Sequence, residues 1–202
     1  MIAIIDYDAG NIRSVEKALI LLGEKPCITR DRDILLQADK VILPGVGAFG
    51  SAMERIRAYG LEGVIRQIVK NGTPFLGICL GLQLLFEESE ESPGVKGLGL
   101  LKGKIVKIPD QGGSLKIPHI GWNSLHFPNQ GRLFQGVDED SYVYFVHSYY
   151  LQAEDREDVV ATTEYGTSLD VAVQKNQLYA CQFHPEKSSA VGLKIIDNFI
   201  RL

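Results

Sequence analysis

Cysteine is scarce in this chain of 202 residues, which has three: Cys27, Cys79 and Cys181. Three cysteines cannot all pair with one another, and their spacing does not form a metal-binding pattern. The sequence therefore predicts a reduced, cytoplasmic protein without a metal or a cofactor. The segment from Met1 to Asp6 leads directly into a strand pattern with no basic stretch before it, so we expect no secretion signal.

A basic excess and long apolar runs are also lacking. The chain has 21 lysines and arginines against 25 aspartates and glutamates, and its isoelectric point is near 5.6. A protein that binds nucleic acid by itself normally has a basic face, so we expect no nucleic-acid partner. No apolar run approaches the roughly 20 residues that cross a bilayer, so we expect no membrane partner either. The length and the hydrophobic content of 45% instead predict one globular domain, residues 1–202, with a substantial core.

The first half of the chain alternates short β-branched runs with amphipathic segments. Ile2–Ile5 predicts a buried first strand, and the segment that ends near Leu22 predicts a helix. From Leu101 onward, strand-like runs follow one another without a helix between them until a closing helix over Ser188–Leu202. This pattern predicts an α/β fold with a mixed, mostly parallel central sheet flanked by helices. The further predicted strands are Lys25–Thr29, Val41–Leu43, Leu101–Ile108, Tyr142–Leu151, Val159–Thr163, Leu169–Gln174 and Leu178–Phe183.

A glycine-flanked cysteine follows the apolar run that begins at Pro74. The sequence Gly77-Ile78-Cys79-Leu80-Gly81 is followed by a segment that can form a helix. A strand, a sharp turn that carries a nucleophile and a helix together make a nucleophile elbow. The glycines on either side of Cys79 allow the turn and let the strand and helix pack closely. The alternative is a buried core cysteine, because cysteine is among the most buried residue types.

The decisive partner for this cysteine is His184-Pro185-Glu186, near the end of the chain. If this segment is extended, the side chains of His184 and Glu186 project on the same side. A nucleophilic cysteine needs a base that takes its proton, and the base needs a carboxylate that fixes its tautomer. The alternative is a histidine in a surface loop. Because the pair and the elbow both follow apolar strand-like runs, we interpret Cys79, His184 and Glu186 as a catalytic triad.

These motifs resemble those of the class I, or triad, glutamine amidotransferases, and the resemblance covers essentially the whole chain. The elbow, Gln83 four residues after its cysteine and the His-Pro-Glu segment all match. The resemblance implies a flavodoxin-like domain that hydrolyses glutamine to glutamate through a thioester on Cys79. It also implies that the N–H group of Leu80 contributes to an oxyanion hole. The residues implied to hold glutamine are Gly45, Gln83, Ser148 and Tyr149.

The loop Gly45-Val46-Gly47-Ala48-Phe49-Gly50 allows two interpretations. It matches the Gly-x-Gly-x-x-Gly fingerprint of dinucleotide-binding proteins. However, it follows the third strand rather than the first, and no acidic residue lies about twenty positions further on to bind a ribose. The family resemblance implies instead that an N–H group of Val46 or Gly47 completes the oxyanion hole. A peptide in this loop could then flip between active and inactive orientations, so we expect Gly45→Val and Gly47→Val to lose activity but keep the fold.

Three further stretches, residues 6–11, 118–123 and 144–149, resemble the glutaminase subunits of imidazole glycerol phosphate synthases. At Asp8 the chain departs from the family pattern, which has glycine there. The resemblance implies a heterodimer with a cyclase subunit, which uses the ammonia to make imidazole glycerol phosphate and AICAR in histidine biosynthesis. The implied interface residues are Asn11, Trp122, Asn123, Tyr144 and Lys187. Two alternative functions are also compatible with the sequence: a glutaminase of another class I amidotransferase system, or a cysteine hydrolase that acts alone.

Overall fold

A computed structural model describes residues 1–202 as a chain of strands and helices. The strands are β1 (Ile2–Ile5), β2 (Cys27–Thr29), β3 (Lys40–Leu43), β4 (Phe75–Ile78), β5 (Glu88–Ser89), β6 (Gly103–Lys107), β7 (His119–Ser124), β8 (Tyr142–His147), β9 (Tyr149–Ala153), β10 (Val159–Glu164), β11 (Ser168–Lys175) and β12 (Leu178–Cys181). The helices are α1 (Ile12–Leu21), α2 (Arg32–Gln37), α3 (Phe49–Ala58), α4 (Leu61–Lys70), α5 (Leu80–Leu84) and α6 (Ser189–Ile200). No helix is both long enough and apolar enough to cross a membrane.

A single large sheet takes strands from both halves of the chain. Its order is β2-β1-β3-β4-β12-β11-β9-β6-β5, and β10 pairs with β11. Along this order, each pair of neighbouring strands from β2 to β12 is parallel. The pairs β12–β11, β11–β9 and β9–β6 are antiparallel, and β6–β5 is parallel again. The predicted mixed sheet of an α/β protein is therefore confirmed. Because β4 and β12 are adjacent and parallel, with Ile78 opposite Cys181, their carboxyl ends meet at one edge.

Alternating side chains of the strands supply two cores, one on each face of the sheet. In β1, Ile2 and Ile4 belong to the core that α1 and α6 cover, whereas Ala3 and Ile5 belong to the core that α3 and α4 cover. A strand that is buried on both faces is apolar at every position. This double burial explains why β1 could be recognised from a continuous β-branched run.

The predicted strand Tyr142–Leu151 is interrupted in the structure. Strand β8 ends at His147, β9 begins at Tyr149, and Ser148 lies between them. Strand β8 pairs with β7 in a separate two-stranded sheet, whereas β9 pairs with β6 in the main sheet. The apolar pattern continues through the break, so periodicity alone could not reveal it. The break exposes the peptide at Ser148 and Tyr149 to the edge where β4 and β12 end.

Candidate active site

Cys79 lies in the sharp turn between β4 and α5. Its backbone has φ 55° and ψ −109°, a conformation that residues other than glycine rarely adopt. Its N–H group donates to the carbonyl of Cys181 on the neighbouring strand at 2.8 Å. A Cβ atom at Gly77 would lie 2.8 Å from the carbonyl oxygen of Gly81, and a Cβ atom at Gly81 would collide with that of Leu43. Close packing therefore requires both glycines, and they hold the strained turn that presents the sulfur.

His184 follows β12, so its side chain reaches the same edge as Cys79. Its Nδ1 atom lies 2.8 Å from Oε1 of Glu186, and neither side chain has exposed surface. The expectation of an extended segment is wrong here, because Pro185–Lys187 forms a 3₁₀ turn. Proline is tolerated at the start of such a turn, where its missing N–H group has no partner to lose. Glu186 therefore reaches His184 across a turn rather than along a strand.

Asn11 is the second donor to the carboxylate. Its Nδ2 atom donates to Oε1 of Glu186 at 3.2 Å, and only 5% of the residue is exposed. A buried carboxylate needs such donors because burial removes its hydration. The predicted place of Asn11 on a partner interface does not fit this burial. In this structure it lies behind Glu186, where its hydrogen bond can orient the carboxylate.

The pKa of His184 rises to about 9 in this environment. Burial lowers this pKa, but the interactions with Cys79 and Glu186 outweigh burial. The Nε2 atom of His184 is buried and has no hydrogen-bond partner of ordinary distance and angle. The contact with Cys79 is therefore not a formed hydrogen bond in this structure. An imidazolium at this position can protonate a leaving group bound at Cys79.

Cys181 does not compete with Cys79 as a nucleophile. Burial raises the pKa of its thiol well above the ordinary value, and Glu186 and Cys79 raise it further. The thiol donates to the carbonyl of Phe183 at 3.6 Å. Because the thiolate is the reactive species, Cys181 is a structural residue of β12.

The predicted oxyanion hole is closed in this structure. The N–H group of Leu80 donates to the carbonyl of Gly45 at 3.3 Å, so that carbonyl lies where an oxyanion would bind. The N–H groups of Val46 and Gly47 donate to no protein acceptor, and Gly47 has φ +103°. Since the Gly45 carbonyl and the Val46 N–H group belong to one peptide, rotation of this peptide would replace an acceptor by a donor.

Gly45 has no room for a side chain. A Cβ atom there would collide with the hydroxyl of Tyr7 and lie 2.9 Å from Cβ of Leu80. Tyr7 is fixed by its hydrogen bond to the carbonyl of Pro44 at 2.8 Å, and burial raises the pKa of this phenol. These contacts change our expectation for Gly45→Val, which should destabilise the fold rather than keep it. By contrast, a Cβ atom at Gly47 would meet nothing within 4 Å.

A cavity of about 310 Å³ opens at Cys79 and His184. Its volume is at the small end of the range for ligand sites, which suits a free amino acid. Gly45 is not among the residues that line the cavity, although we predicted it to hold the substrate. The structure brings together the other predicted site residues, so that the lining includes Val46, Gly47, Leu80, Gln83, Ser148 and Tyr149.

Gln83 links the floor of this cavity to the nucleophile. Its Nε2 atom donates to the carbonyl of Tyr149 at 3.2 Å and to Oε1 of Gln182 at 2.9 Å. Nε2 of Gln182 in turn lies 3.7 Å from the sulfur of Cys79. Gln182 is buried, and its place beside Cys79 was not among our predictions. A glutamine that immediately precedes Phe183-His184 in an apolar strand could have drawn attention as a buried amide.

Glu91 is the carboxylate that sequence reasoning missed. It is the one acidic residue that lines the cavity, and its Oε2 atom accepts from the N–H group of Phe49 at 2.8 Å. The acidic run Glu87–Glu91 is typical of a solvated surface. Nothing in the spacing distinguishes the last carboxylate from the others, so only the fold reveals it.

The same contacts argue against dinucleotide binding at the loop Gly45–Gly50. In dinucleotide-binding proteins, free N–H groups at the helix start bind the pyrophosphate. Here the first N–H groups of α3 are already occupied, that of Phe49 by Glu91 and that of Gly50 by Oγ of Ser92 at 3.0 Å. A carboxylate thus stands where a phosphate would have to bind.

The remaining predicted interface residues lie around the hairpin of β7 and β8. Trp122 is 50% exposed and lies opposite Tyr144, with 6.1 Å between the ring centres. Lys187 is exposed in the turn that carries Glu186. Asn123 is half-buried and donates to the carbonyl of Glu164 at 2.9 Å. An exposed tryptophan beside a tyrosine is a composition typical of protein interfaces.

Comparison with known families agrees with the fold and the elbow. The sequence profile of the family described as "Glutamine amidotransferase class-I" matches residues 3–202. The chain belongs to the class-I glutamine amidotransferase family, whose members hydrolyse glutamine.

Within this family, the chain is similar to proteins named imidazole glycerol phosphate synthase subunit HisH. The protein of this name from Methanocaldococcus jannaschii is 51% identical over 202 residues, which is the whole of both chains. That from Thermosynechococcus vestitus is 50% identical over 203 residues, covering 100% of this chain and 96% of the relative. A solved structure of PurLQS from Thermotoga maritima has the same fold, with a TM-score of 0.76, 19% identity and coverage of 99% and 97% of the two chains.

Proposed function

We propose that this chain is the glutaminase subunit of an imidazole glycerol phosphate synthase. In this proposal residues 1–202 form one glutamine amidotransferase domain, which hydrolyses glutamine and delivers ammonia to a cyclase subunit. Two full-length relatives at about 50% identity, both named as HisH subunits, support the choice of this system over other class I amidotransferases. The observation that carries the chemistry is the convergence of Cys79, His184 and Glu186 at one edge of the sheet.

The triad geometry supports a thioester mechanism. His184 takes the proton of the Cys79 thiol, the sulfur attacks the side-chain carbonyl carbon of glutamine, and an oxyanion forms. Collapse of this intermediate breaks the carbon–nitrogen bond, while His184 donates a proton to the leaving nitrogen and ammonia departs. His184 then takes a proton from water, which attacks the thioester. The carbon–sulfur bond breaks, its electron pair returns to the sulfur of Cys79, and glutamate leaves while His184 keeps the proton for the next cycle. Glu186 keeps the Nδ1 proton of His184 in place, so that Nε2 faces the reaction.

The two ends of glutamine require opposite charges in the cavity. Glu91 lines the cavity and can pair with the α-ammonium group, since it is the acidic residue there. The peptide at Ser148 and Tyr149 and the side chain of Gln83 supply polar groups for the rest of the substrate. Val46 and Gly47 border the same space on the oxyanion side.

The closed oxyanion hole makes activation a necessary step in the proposal. As long as the Gly45 carbonyl accepts from Leu80, the hole has lost one donor and faces the oxyanion with an acceptor. Rotation of the Gly45–Val46 peptide would supply both N–H groups. We infer that docking of the cyclase favours the rotated form, which would restrict hydrolysis to the assembled enzyme. Ammonia protonates in neutral water and then ceases to be a nucleophile, so such coupling prevents waste.

Glutamate release from glutamine tests the proposal directly. The purified chain is assayed alone and then with the cyclase subunit and its nucleotide substrate, with Cys79→Ala as the control for background. We expect low activity alone, a steep rise with the liganded partner and none with Cys79→Ala. Glu91→Gln should raise KM for glutamine more than it lowers kcat. Equal activity with and without the partner would instead favour a hydrolase that acts alone.

A further inference from the structure

Two buried histidines outside the triad lie next to the glutamine cavity. His119 begins β7, His147 ends β8, and the two residues face each other in the hairpin register. They are only 3% and 6% exposed. Nδ1 of His119 lies 3.0 Å from Nε2 of His147. The thioester mechanism uses neither residue, so their burial in contact with one another needs a different explanation.

The neighbours of the pair determine where each proton lies. The carbonyl of Tyr149 can only accept, and it lies 2.9 Å from Nδ1 of His147, so this nitrogen carries a proton. In a neutral His147, Nε2 is then an acceptor, and Nδ1 of His119 must be the donor to it. Nε2 of His119 is left as an acceptor, facing the amide nitrogen of Asn123 at 3.4 Å. All the contacts are satisfied when both rings are neutral and protonated on Nδ1.

A charge on either ring breaks this arrangement. A proton on Nε2 of His119 would face the NH₂ group of Asn123, which is also a donor. A proton on Nε2 of His147 would force His119 into its other tautomer, with the same conflict at Asn123. Burial acts in the same direction and lowers the pKa of His119 to about 4 and that of His147 to about 3. The nearby His184 adds to this effect on His147, because two adjacent cations repel.

Aromatic rings hold His119 in this orientation. Its ring stacks on Phe145 and on Tyr165, with centres 4.8 Å and 3.9 Å away and planes inclined by 22° in both cases. Tyr165 is fixed in turn by its hydroxyl, which donates to the carbonyl of Lys116 at 2.7 Å. Because stacking on both faces already fixes the ring, its hydrogen bond to His147 costs little further conformational entropy.

We propose, building on the glutaminase function above, that His119 and His147 are positioning residues that hold the Tyr149 carbonyl and, through it, Gln83 in the glutamine site. A hydrogen bond from the side chain of His147 to the carbonyl of Tyr149 bridges the break between β8 and β9. The same carbonyl accepts a hydrogen bond from Nε2 of Gln83 at 3.2 Å. The pair thus fixes the peptide that borders the substrate, and it acts through hydrogen bonds rather than by carrying protons.

Substitutions at His147 distinguish a role in positioning the Tyr149 carbonyl from a role in packing alone. His147→Asn places an amide NH₂ group where Nδ1 stands and can still donate to Tyr149, whereas His147→Leu cannot. His119→Phe keeps the aromatic stack but removes the donor to His147. Thr163→Val is the matched control, because it removes a buried hydroxyl that donates to the carbonyl of Ser124 at 2.6 Å in the neighbouring strand.

The assay compares two alkylation rates of Cys79, each followed by mass spectrometry of its peptide. A chloroketone analogue of glutamine must use the substrate cavity, whereas iodoacetamide needs only access to the sulfur. We expect the ratio of the two rates to fall about tenfold in His147→Leu, which is the loss of one buried hydrogen bond, and about twofold in His119→Phe. The ratio should stay close to that of the wild type in His147→Asn and Thr163→Val.

Nitrogen NMR of the imidazoles gives an independent readout. At neutral pH both His119 and His147 should be neutral and protonated on Nδ1. Charged rings, or a proton on Nε2 of His147, would overturn the proposal, as would an unchanged alkylation ratio in His147→Leu. If the chloroketone fails to label even the wild type in the complex with the liganded cyclase, the glutaminase function is wrong. The tautomers measured by NMR then still decide whether the two histidines are hydrogen-bonded as described.

Discussion

Asn11 provides the sharpest test of how the triad is assembled, because two roles for it predict opposite results. The resemblance to heterodimeric glutaminases implies a surface residue that contacts the partner. The structure instead buries Asn11 and directs its amide to Oε1 of Glu186. The other carboxylate oxygen, Oε2, is buried without a partner. Asn11 and His184 are therefore the only hydrogen-bond donors to this carboxylate.

The size of the effect follows from these contacts. Losing one hydrogen bond to a buried charged group costs about 1.5–3 kcal/mol, and about 1.4 kcal/mol corresponds to a tenfold change in rate. Glu186 keeps its bond to His184 in Asn11→Ala, so we expect kcat to fall by about tenfold, near the low end of this range. In Asn11→Asp the donor becomes a second carboxylate, and repulsion should reduce kcat further. Helix α1 should survive both changes, because the Asn11 side chain makes no capping bond.

The assay measures glutamate release at saturating partner, together with the dissociation constant of the complex. We expect Asn11→Ala to lower kcat and to leave the affinity for the cyclase unchanged. Lys187→Ala is the matched comparison, because this exposed residue lies in the same turn as Glu186 and should show the reverse. Weaker binding of Asn11→Ala with normal turnover in the saturated complex would refute the orienting role and restore the interface interpretation.

Two further predictions concern the oxyanion loop and the charge on His184. Gly45→Val should lower the melting temperature, because its side chain collides with Tyr7. Gly47→Val meets no neighbouring atom, but valine is strained at its φ of +103°, so we expect a smaller loss of stability together with loss of glutaminase activity; full activity of Gly47→Val in the complex would contradict this reasoning. The pKa of His184 is raised from 6.5 to about 9, so the folded state binds this proton more tightly than the unfolded state. Its contribution to stability is present below pH 6.5 and is lost as the pH rises through about 9. Urea unfolding across this interval should show the advantage of the wild type over His184→Gln shrinking by at most about 3 kcal/mol; parallel curves would show that the shift is absent.

The elbow and the positions of the first strands could be predicted because each has a local signature in the sequence. The close contact of Gly77 with the carbonyl of Gly81 lies within the motif itself, whereas Gly81 is required by the carbonyl of Leu43 on the neighbouring strand. A strand buried on both faces, such as β1, is apolar throughout. These features are therefore visible without knowledge of the rest of the fold.

The contacts that complete the site are non-local, which is why they escaped prediction. Glu91 reaches the cavity only because its segment packs against the start of α3, 42 residues away in sequence. Asn11 meets Glu186 across 175 residues. No periodicity encodes such pairings. A resemblance can list the residues of a site, but it could not tell that Asn11 faces inward or that Gly45 closes the oxyanion hole.

Asp8 shows how a departure from the family pattern can be compensated by its surroundings. The residue has φ 65°, a conformation that favours glycine but that aspartate tolerates better than most residues. Arg30 donates to Asp6 and to Asp8 at 2.8 Å each, and it lies 4.1 Å from the ring centre of Tyr59, whose hydroxyl donates to Asp8. The ion pair with Arg30 and the hydrogen bond from Tyr59 both act on Asp8 and favour its strained backbone conformation. The loop therefore keeps the path that glycine would allow, and that path delivers Asn11 to Glu186.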